Sequence, residues 1–168
     1  MVRRRAFLGA AVSATLVGSA GCLGADEGDD DDGMELERLE VAGSPGGTVQ
    51  PLPAGNVALL DFWATWCAPC KPQMAELRDI RGQYPDVHMV SITNEDDREA
   101  IREFWREYEG TWSVAIDPEV RTNDRFDVTR IPTLLVFDVD GEEVWRHVGL
   151  SAAEDIAAAL EEAGATTA

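Results

Sequence analysis

Leu60-Asp61-Phe62-Trp63-Ala64-Thr65-Trp66-Cys67-Ala68-Pro69-Cys70-Lys71 runs an apolar segment directly into two cysteines separated by two residues. Upstream, Val57 to Trp63 is apolar almost throughout and of strand length, the pattern of a central strand covered on both faces. Asp61 is its anomaly, a carboxyl where only apolar side chains are expected. Downstream, Met74, Leu77, Ile80 and Tyr84 recur at helical spacing, which predicts a helix from Cys67 to about Gly82. Pro72 has no amide hydrogen to return to Ala68, so a kink is expected there.

Two cysteines across a first helical turn can close a small disulfide ring, and the helix N-terminus stabilises a thiolate at that place. Cys67 is expected to be the exposed nucleophile. Cys70 lies one turn deeper and leads the buried face, so it would attack a mixed disulfide and release reduced substrate. A lone C-x-x-C also fits half of a zinc site. Here no second pair exists, and His88 and His147 are the only imidazoles, so no metal and no other cofactor is expected.

Outward from this segment the chain alternates strands and helices. Leu36, Leu39 and Val41, then Thr48 to Leu52, read as an N-terminal hairpin around the turn Gly43-Ser44-Pro45-Gly46-Gly47. Val87 to Ile92 reads as a strand. In Asp97 to Tyr108, Ile101, Phe104, Trp105 and Tyr108 form one helix face. Strand Trp112 to Ile116, a short helix near Val120 to Phe126, and strands Leu134 to Asp138 and Glu143 to Val148 follow, the last two joined at Asp140-Gly141. Ser151-Ala152-Ala153-Glu154 reads as a capping box opening a final helix pinned by Ile156 and Leu160. Trp63, Trp112 and Trp145 read as packing residues. The order implies an α/β domain with a mixed central sheet and helices on both faces.

With 168 residues, 45% of them hydrophobic, the chain is long enough for one well-buried core. The expected organisation is an export segment at 1–21, a spacer at 22–33, one folded domain at 34–164 and a tail at 165–168. Acidic residues number 32 against 14 basic ones, and Lys71 is the only lysine. Such a surface repels nucleic acid. It resembles the carboxylate-rich, lysine-poor surfaces of proteins from extreme halophiles, where molar salt shrinks the Debye length to about 3 Å.

Arg3, Arg4 and Arg5 precede an uncharged, small and apolar run from Ala6 to Gly21, the layout of an export signal. Arg4-Arg5-Ala6-Phe7-Leu8 resembles the twin-arginine signal, whose passengers cross the membrane folded. Ser19-Ala20-Gly21-Cys22 resembles a lipobox, although Ser19 stands where a larger aliphatic is usual; this resemblance implies Cys22 as the lipidated residue and leaves one cysteine pair for redox chemistry, an uncleaved N-terminal anchor being the alternative. Asp26-Glu27-Gly28-Asp29-Asp30-Asp31-Asp32-Gly33 has no apolar residue and reads as a disordered spacer. Export places the cysteine pair outside the reducing cytosol.

Leu60 to Lys71 resembles the active-site strand, loop and helix of the thioredoxin superfamily. Val128-Thr129-Arg130-Ile131-Pro132-Thr133-Leu134-Leu135-Val136-Phe137 is similar to that superfamily's cis-proline loop and the strand after it. The resemblance spans roughly Leu36 to Ala163. The interval from Cys67 to Pro132 is longer than in a simple thioredoxin, the excess falling at Asp97 to Ile116. That added strand and helix, with the lipid-anchored N-terminus and the hairpin, resembles the membrane-tethered TlpA and ResA group.

The resemblance implies a thioredoxin fold and a protein disulfide reductase acting outside the cytoplasm. Apocytochrome c is a common substrate in that group, and the electrons come from a membrane thiol carrier. It implies Cys67-Cys70 as the redox disulfide, Trp66 and Pro69 at its rim, and Ile131 and Pro132 as the loop that pairs with an extended substrate. The group often carries a glutamate three residues after the second cysteine and a neutral residue in the active-site strand. Here Gln73 and Asp61 stand in those places. Asp61, kept from water, is expected to have a raised pKa and to take the proton of Cys70. Oxidase or isomerase action, and a non-catalytic docking role, are the alternatives.

Overall fold

The computed structural model describes residues 33–168, so the export segment, Cys22 and the spacer up to Asp32 lie outside the described residues. In chain order come β1 (Leu36–Arg38), β2 (Glu40–Val41), β3 (Ser44–Pro45), β4 (Thr48–Val49), β5 (Ala58–Phe62), α1 (Cys70–Gln83), β6 (His88–Thr93) and α2 (Arg98–Glu107). They are followed by β7 (Ser113–Ile116), α3 (Arg121–Arg125), β8 (Thr133–Phe137), β9 (Glu143–Val148) and α4 (Ala153–Glu162). Seven strands make one mixed sheet in the order β4-β1-β7-β6-β5-β8-β9.

The continuous apolar run over β5 is explained by its place. It pairs in parallel with β6 and antiparallel with β8, and all five of its residues are buried. Alternation then sorts its side chains. Ala58, Leu60 and Phe62 meet Leu135, Phe137, Phe126 and Val128 on one face. Leu59 and Trp63 meet α1, α2 and α4 on the other through Met74, Leu77, Ile101, Trp105, Ile156 and Leu160. By the same alternation Asp61 belongs to the helix-rich face that holds the two cysteines.

The segment between α1 and the cis-proline loop adds α2 and β7. Asp97 caps α2 by accepting the Ala100 amide at 3.1 Å. From there an aromatic chain crosses the core: Trp63 stacks on Phe104 at 4.5 Å, and Trp105 meets Trp112 edge-on at 5.0 Å. Gly110 makes this approach possible, because a Cβ there would run into the Trp105 indole. The excursion therefore delivers Trp112 to the start of β7.

Three local expectations are corrected. Ser44-Pro45, read as turn, is strand β3, and the reversal falls at Ala42-Gly43, where Gly43 has φ +73°. The Ser44 hydroxyl donates to Leu39 O at 2.6 Å and accepts from Val114 N at 3.2 Å, which ties the hairpin to β7 and makes the position ordered. Pro72 breaks no helix hydrogen bond, because α1 starts at Cys70 rather than Cys67 and Pro72 falls in its first turn, where amide hydrogens have no intrahelical acceptor. The capping box at Ser151 does not form. Ala152 is the N-cap of α4, and the free amide of Ala153 is taken by the Glu76 carboxylate of α1 at 2.7 Å.

Candidate redox site

The site sits where β5 ends and α1 begins. Cys67 N donates to Ala64 O at 3.1 Å and Cys70 N donates to Cys67 O at 3.2 Å, so the chain turns once before the helix proper. Cys67 and Cys70 form a disulfide with a Cα separation of 5.3 Å. Cys70 is 2% exposed, as expected of a residue leading the buried face of α1. Cys67 is only 3% exposed, which corrects the open sulfur expected from the sequence. The four-residue ring holds Cys67 against Cys70 in the core cluster. Exposure at the rim belongs instead to Trp66, at 74%, and to Ala68 and Pro69.

The preceding loop is held from a distance. Glu95, on the connection from β6 to α2, accepts the Thr65 amide and the Thr65 hydroxyl, each at 2.7 Å, and the Thr93 hydroxyl at 3.2 Å. The start of α1 is held against the start of α4. Gln73 donates its amide hydrogen to Ser151 O at 3.1 Å and accepts from Ser151 N at 2.8 Å.

The Ile131-Pro132 bond is cis. Ile131 is half-buried and packs against both cores, and Pro132 O accepts Gly149 N at 2.8 Å. Val148, paired with Thr133, and Leu150 are both exposed beside this loop.

Beneath the helix-rich face, Asp61 is 1% exposed. Its neighbour in register on β6 is Ser91, whose hydroxyl donates to Asp61 Oδ2 at 2.7 Å. Trp112 Nε1 donates to the same Ser91 oxygen at 2.8 Å. Asp61 Oδ1 has no hydrogen-bond partner. Burial pushes the carboxyl up to about 7, partly countered by the Ser91 hydrogen bond.

Sequence reasoning therefore brought Cys67, Cys70, Asp61, Trp66, Pro69, Ile131 and Pro132 to notice and passed over Ser91, Glu95 and the donor role of Trp112. Ser91 had a signal. It is a polar residue in the otherwise apolar stretch Met89-Val90-Ser91-Ile92, mirroring Asp61 in the adjacent strand. Glu95 had none, lying in a polar loop 30 residues from the group it holds.

Residues 55–143, more than half of the chain, match the family described as Thioredoxin-like, and the chain belongs to that family. Within it the chain is similar to ResA-type proteins. The thiol-disulfide oxidoreductase ResA of Bacillus cereus is 27% identical over 109 residues, which are 64% of this chain and 63% of that protein. The match thus spans just under two thirds of the curated relative. A secreted Mycobacterium tuberculosis disulfide oxidoreductase homologous to E. coli DsbE superposes with a TM-score of 0.67 at 21% identity, covering 80% of this chain and 98% of that one. StoA of Bacillus subtilis gives 0.63 at 20% identity, covering 75% and 94%. At these identities the likeness to the solved structures is one of fold.

Proposed function

We propose that this chain is an extracytoplasmic thiol-disulfide oxidoreductase that reduces disulfides in protein substrates. The observation that carries the reading is the Cys67-Cys70 disulfide at the start of α1, on the same sheet face as a buried carboxyl. Family membership and the ResA relative support it.

In the reduced protein, the Cys67 thiolate attacks one sulfur of the substrate disulfide. A Cys67-substrate mixed disulfide forms and the other substrate sulfur leaves as a thiolate. Cys70 then attacks the Cys67 sulfur. As its S–H proton passes to Asp61, the second substrate sulfur departs with the electron pair, and the Cys67-Cys70 disulfide closes. The substrate gains two electrons and this chain loses two. Trp66, Pro69 and Ile131 form the docking surface beside the buried Pro132, Ile131 offering its backbone to an extended substrate segment.

The cellular setting belongs to the same proposal. The Arg4-Arg5 signal exports the chain, lipidated Cys22 tethers it to the outer face of the cytoplasmic membrane, and residues 22–33 space the domain from the surface, all in high external salt. A membrane thiol carrier returns the two electrons, and apocytochrome c is the favoured substrate class.

The test has two parts. With Cys70→Ser, substrates accumulate as mixed disulfides that dissolve on adding reductant; with Cys67→Ser they do not. Trapping by Cys67→Ser alone would reverse the two roles. Equal partner binding with trapping by neither variant would make the chain a docking module. The reduction potential of the wild-type pair, read at high salt, decides direction: a value near about −270 mV supports reduction and one near about −120 mV supports oxidation.

A further inference from the structure

The proposed proton transfer leaves a question of atoms: which oxygen of Asp61 receives the proton. An indole N–H only donates, so Trp112 occupies a lone pair of the Ser91 oxygen and leaves the Ser91 hydrogen to point elsewhere. The partner within reach of that hydrogen is Asp61 Oδ2, at 2.7 Å. A proton placed on Oδ2 would compete with the Ser91 hydrogen for the same short contact and leave it without an acceptor inside the core. Oδ1 is buried and unpartnered.

We propose that Ser91 and Trp112 are positioning residues that commit Asp61 Oδ2 to accepting one fixed hydrogen bond, so that Oδ1 is the atom that takes the proton from Cys70 and gives it up again. This rests on the reading of Asp61 as the base for Cys70. The three side chains come from β5, β6 and the approach to β7, so the added α2–β7 excursion completes the arrangement. It is the source of Trp112.

The surroundings suit a transfer governed by hydrogen-bond direction rather than by charge. β6 presents Ser91 and Met89 on this face, β8 presents Leu134, α1 presents Cys70, Met74 and Leu77, and α2 presents Ile101 and Trp105. Among the described residues the only other buried carboxyl is Asp117, which is taken up by the Thr122 amide and hydroxyl at 2.7 Å each and by Arg121 at 3.4 Å. The influences on Asp61 are burial and Ser91.

The experiment follows the Asp61 carboxyl directly by carbon NMR titration of the full folded domain with its disulfide closed, beside the pH profile of disulfide exchange. Ser91→Ala removes the accepted hydrogen bond and is expected to move the Asp61 midpoint from about 7 to about 8, with the rising limb of the rate profile moving equally. Ser91→Thr keeps the hydroxyl and restores both. Trp112→Phe frees the Ser91 hydroxyl to turn away and moves the midpoint in the same direction as Ser91→Ala, by less. An Asp61 midpoint unmoved by Ser91→Ala overturns the proposal. A moved midpoint with an unmoved rate profile keeps the Ser91 hydrogen bond to Oδ2 but removes Asp61 from the reaction, which overturns the base reading and with it the transfer at Oδ1, so the two failures are distinct. The NMR line shapes of each variant report whether it is folded.

Discussion

Glu95 grips Thr65 twice, its two carboxylate oxygens accepting the Thr65 amide and hydroxyl at 2.7 Å each. Thr65 stands two residues before Cys67 in a loop without regular secondary structure. A β6–α2 loop residue therefore sets where the redox turn begins, and the added excursion is anchored to the site at both its start, through Glu95, and its end, through Trp112.

This clasp separates geometry from charge. In Glu95→Gln the side-chain oxygen still accepts the Thr65 amide, and the rotatable Thr65 hydroxyl turns to accept from the new N–H. Stability is expected to change by less than about 0.5 kcal/mol. Glu95→Ala strands the Thr65 amide in a half-buried loop, at a cost of about 1–3 kcal/mol together with slower disulfide exchange. Urea unfolding and exchange kinetics of both variants read this. Equal losses in the two would show that the carboxylate charge, rather than its hydrogen bonds, is what the loop requires.

Asp61→Asn is expected to stabilise the fold while slowing the chemistry. The folded carboxyl titrates at about 7, against about 3.9 in an unfolded chain, so the folded state binds the proton more tightly. The contribution of Asp61 to stability is then fully present below about pH 4, declines as pH rises to about 7, and is absent above that. Asn carries no such penalty. Its advantage over wild type is expected to reach roughly 4 kcal/mol at most above about pH 7 and to close toward about pH 4. Denaturant unfolding with the disulfide closed, across that range, is the measurement. Parallel pH dependence in the two proteins would mean that Asp61 titrates as an ordinary surface aspartate.

Gln73→Glu runs the opposite way. Gln73 is 1% exposed and both donates to and accepts from the Ser151 backbone, a pairing that a carboxylate cannot reproduce. The substitution is expected to cost about 2–4 kcal/mol at neutral pH. Part of that loss returns in acid, where a protonated Glu regains a donor. A loss independent of pH would contradict this account. A neutral amide is thus what the α1–α4 junction of this chain accepts.

Export and anchoring are tested at the N-terminus. Changing Arg4 and Arg5 to Lys is expected to hold the chain in the cytoplasm, and Cys22→Ser to release exported chain from the membrane. Fractionation of the expressing cells reads both. Wild-type distribution of both variants would refute the tethered reading.

Much of the fold was legible because burial on two faces and burial on one leave different periods. β5 is apolar throughout and central, whereas α2 shows one apolar face and packs by it. The two cysteines, Asp61 and Pro132 were legible as local motifs. What escaped detection was anything set by contact between distant segments. The α4 start looked like a capping box, yet its first amide is claimed by Glu76, 77 residues earlier. Cys67 looked exposed because a helix N-terminus is; the closed ring with Cys70 is what draws it in. Ser91 and Trp112 acquire their meaning only when β6 and the added excursion are laid beside Asp61.

Lys71, the chain's single lysine, is exposed in the first turn of α1, one residue after Cys70. Any reagent that seeks side-chain amines consequently has one address in the whole sequence, and that address adjoins the redox pair. A small fluorophore attached there would sense mixed-disulfide formation without an engineered cysteine to confuse the thiol chemistry. Bulky acylation of the same amine would instead crowd the rim beside Pro69.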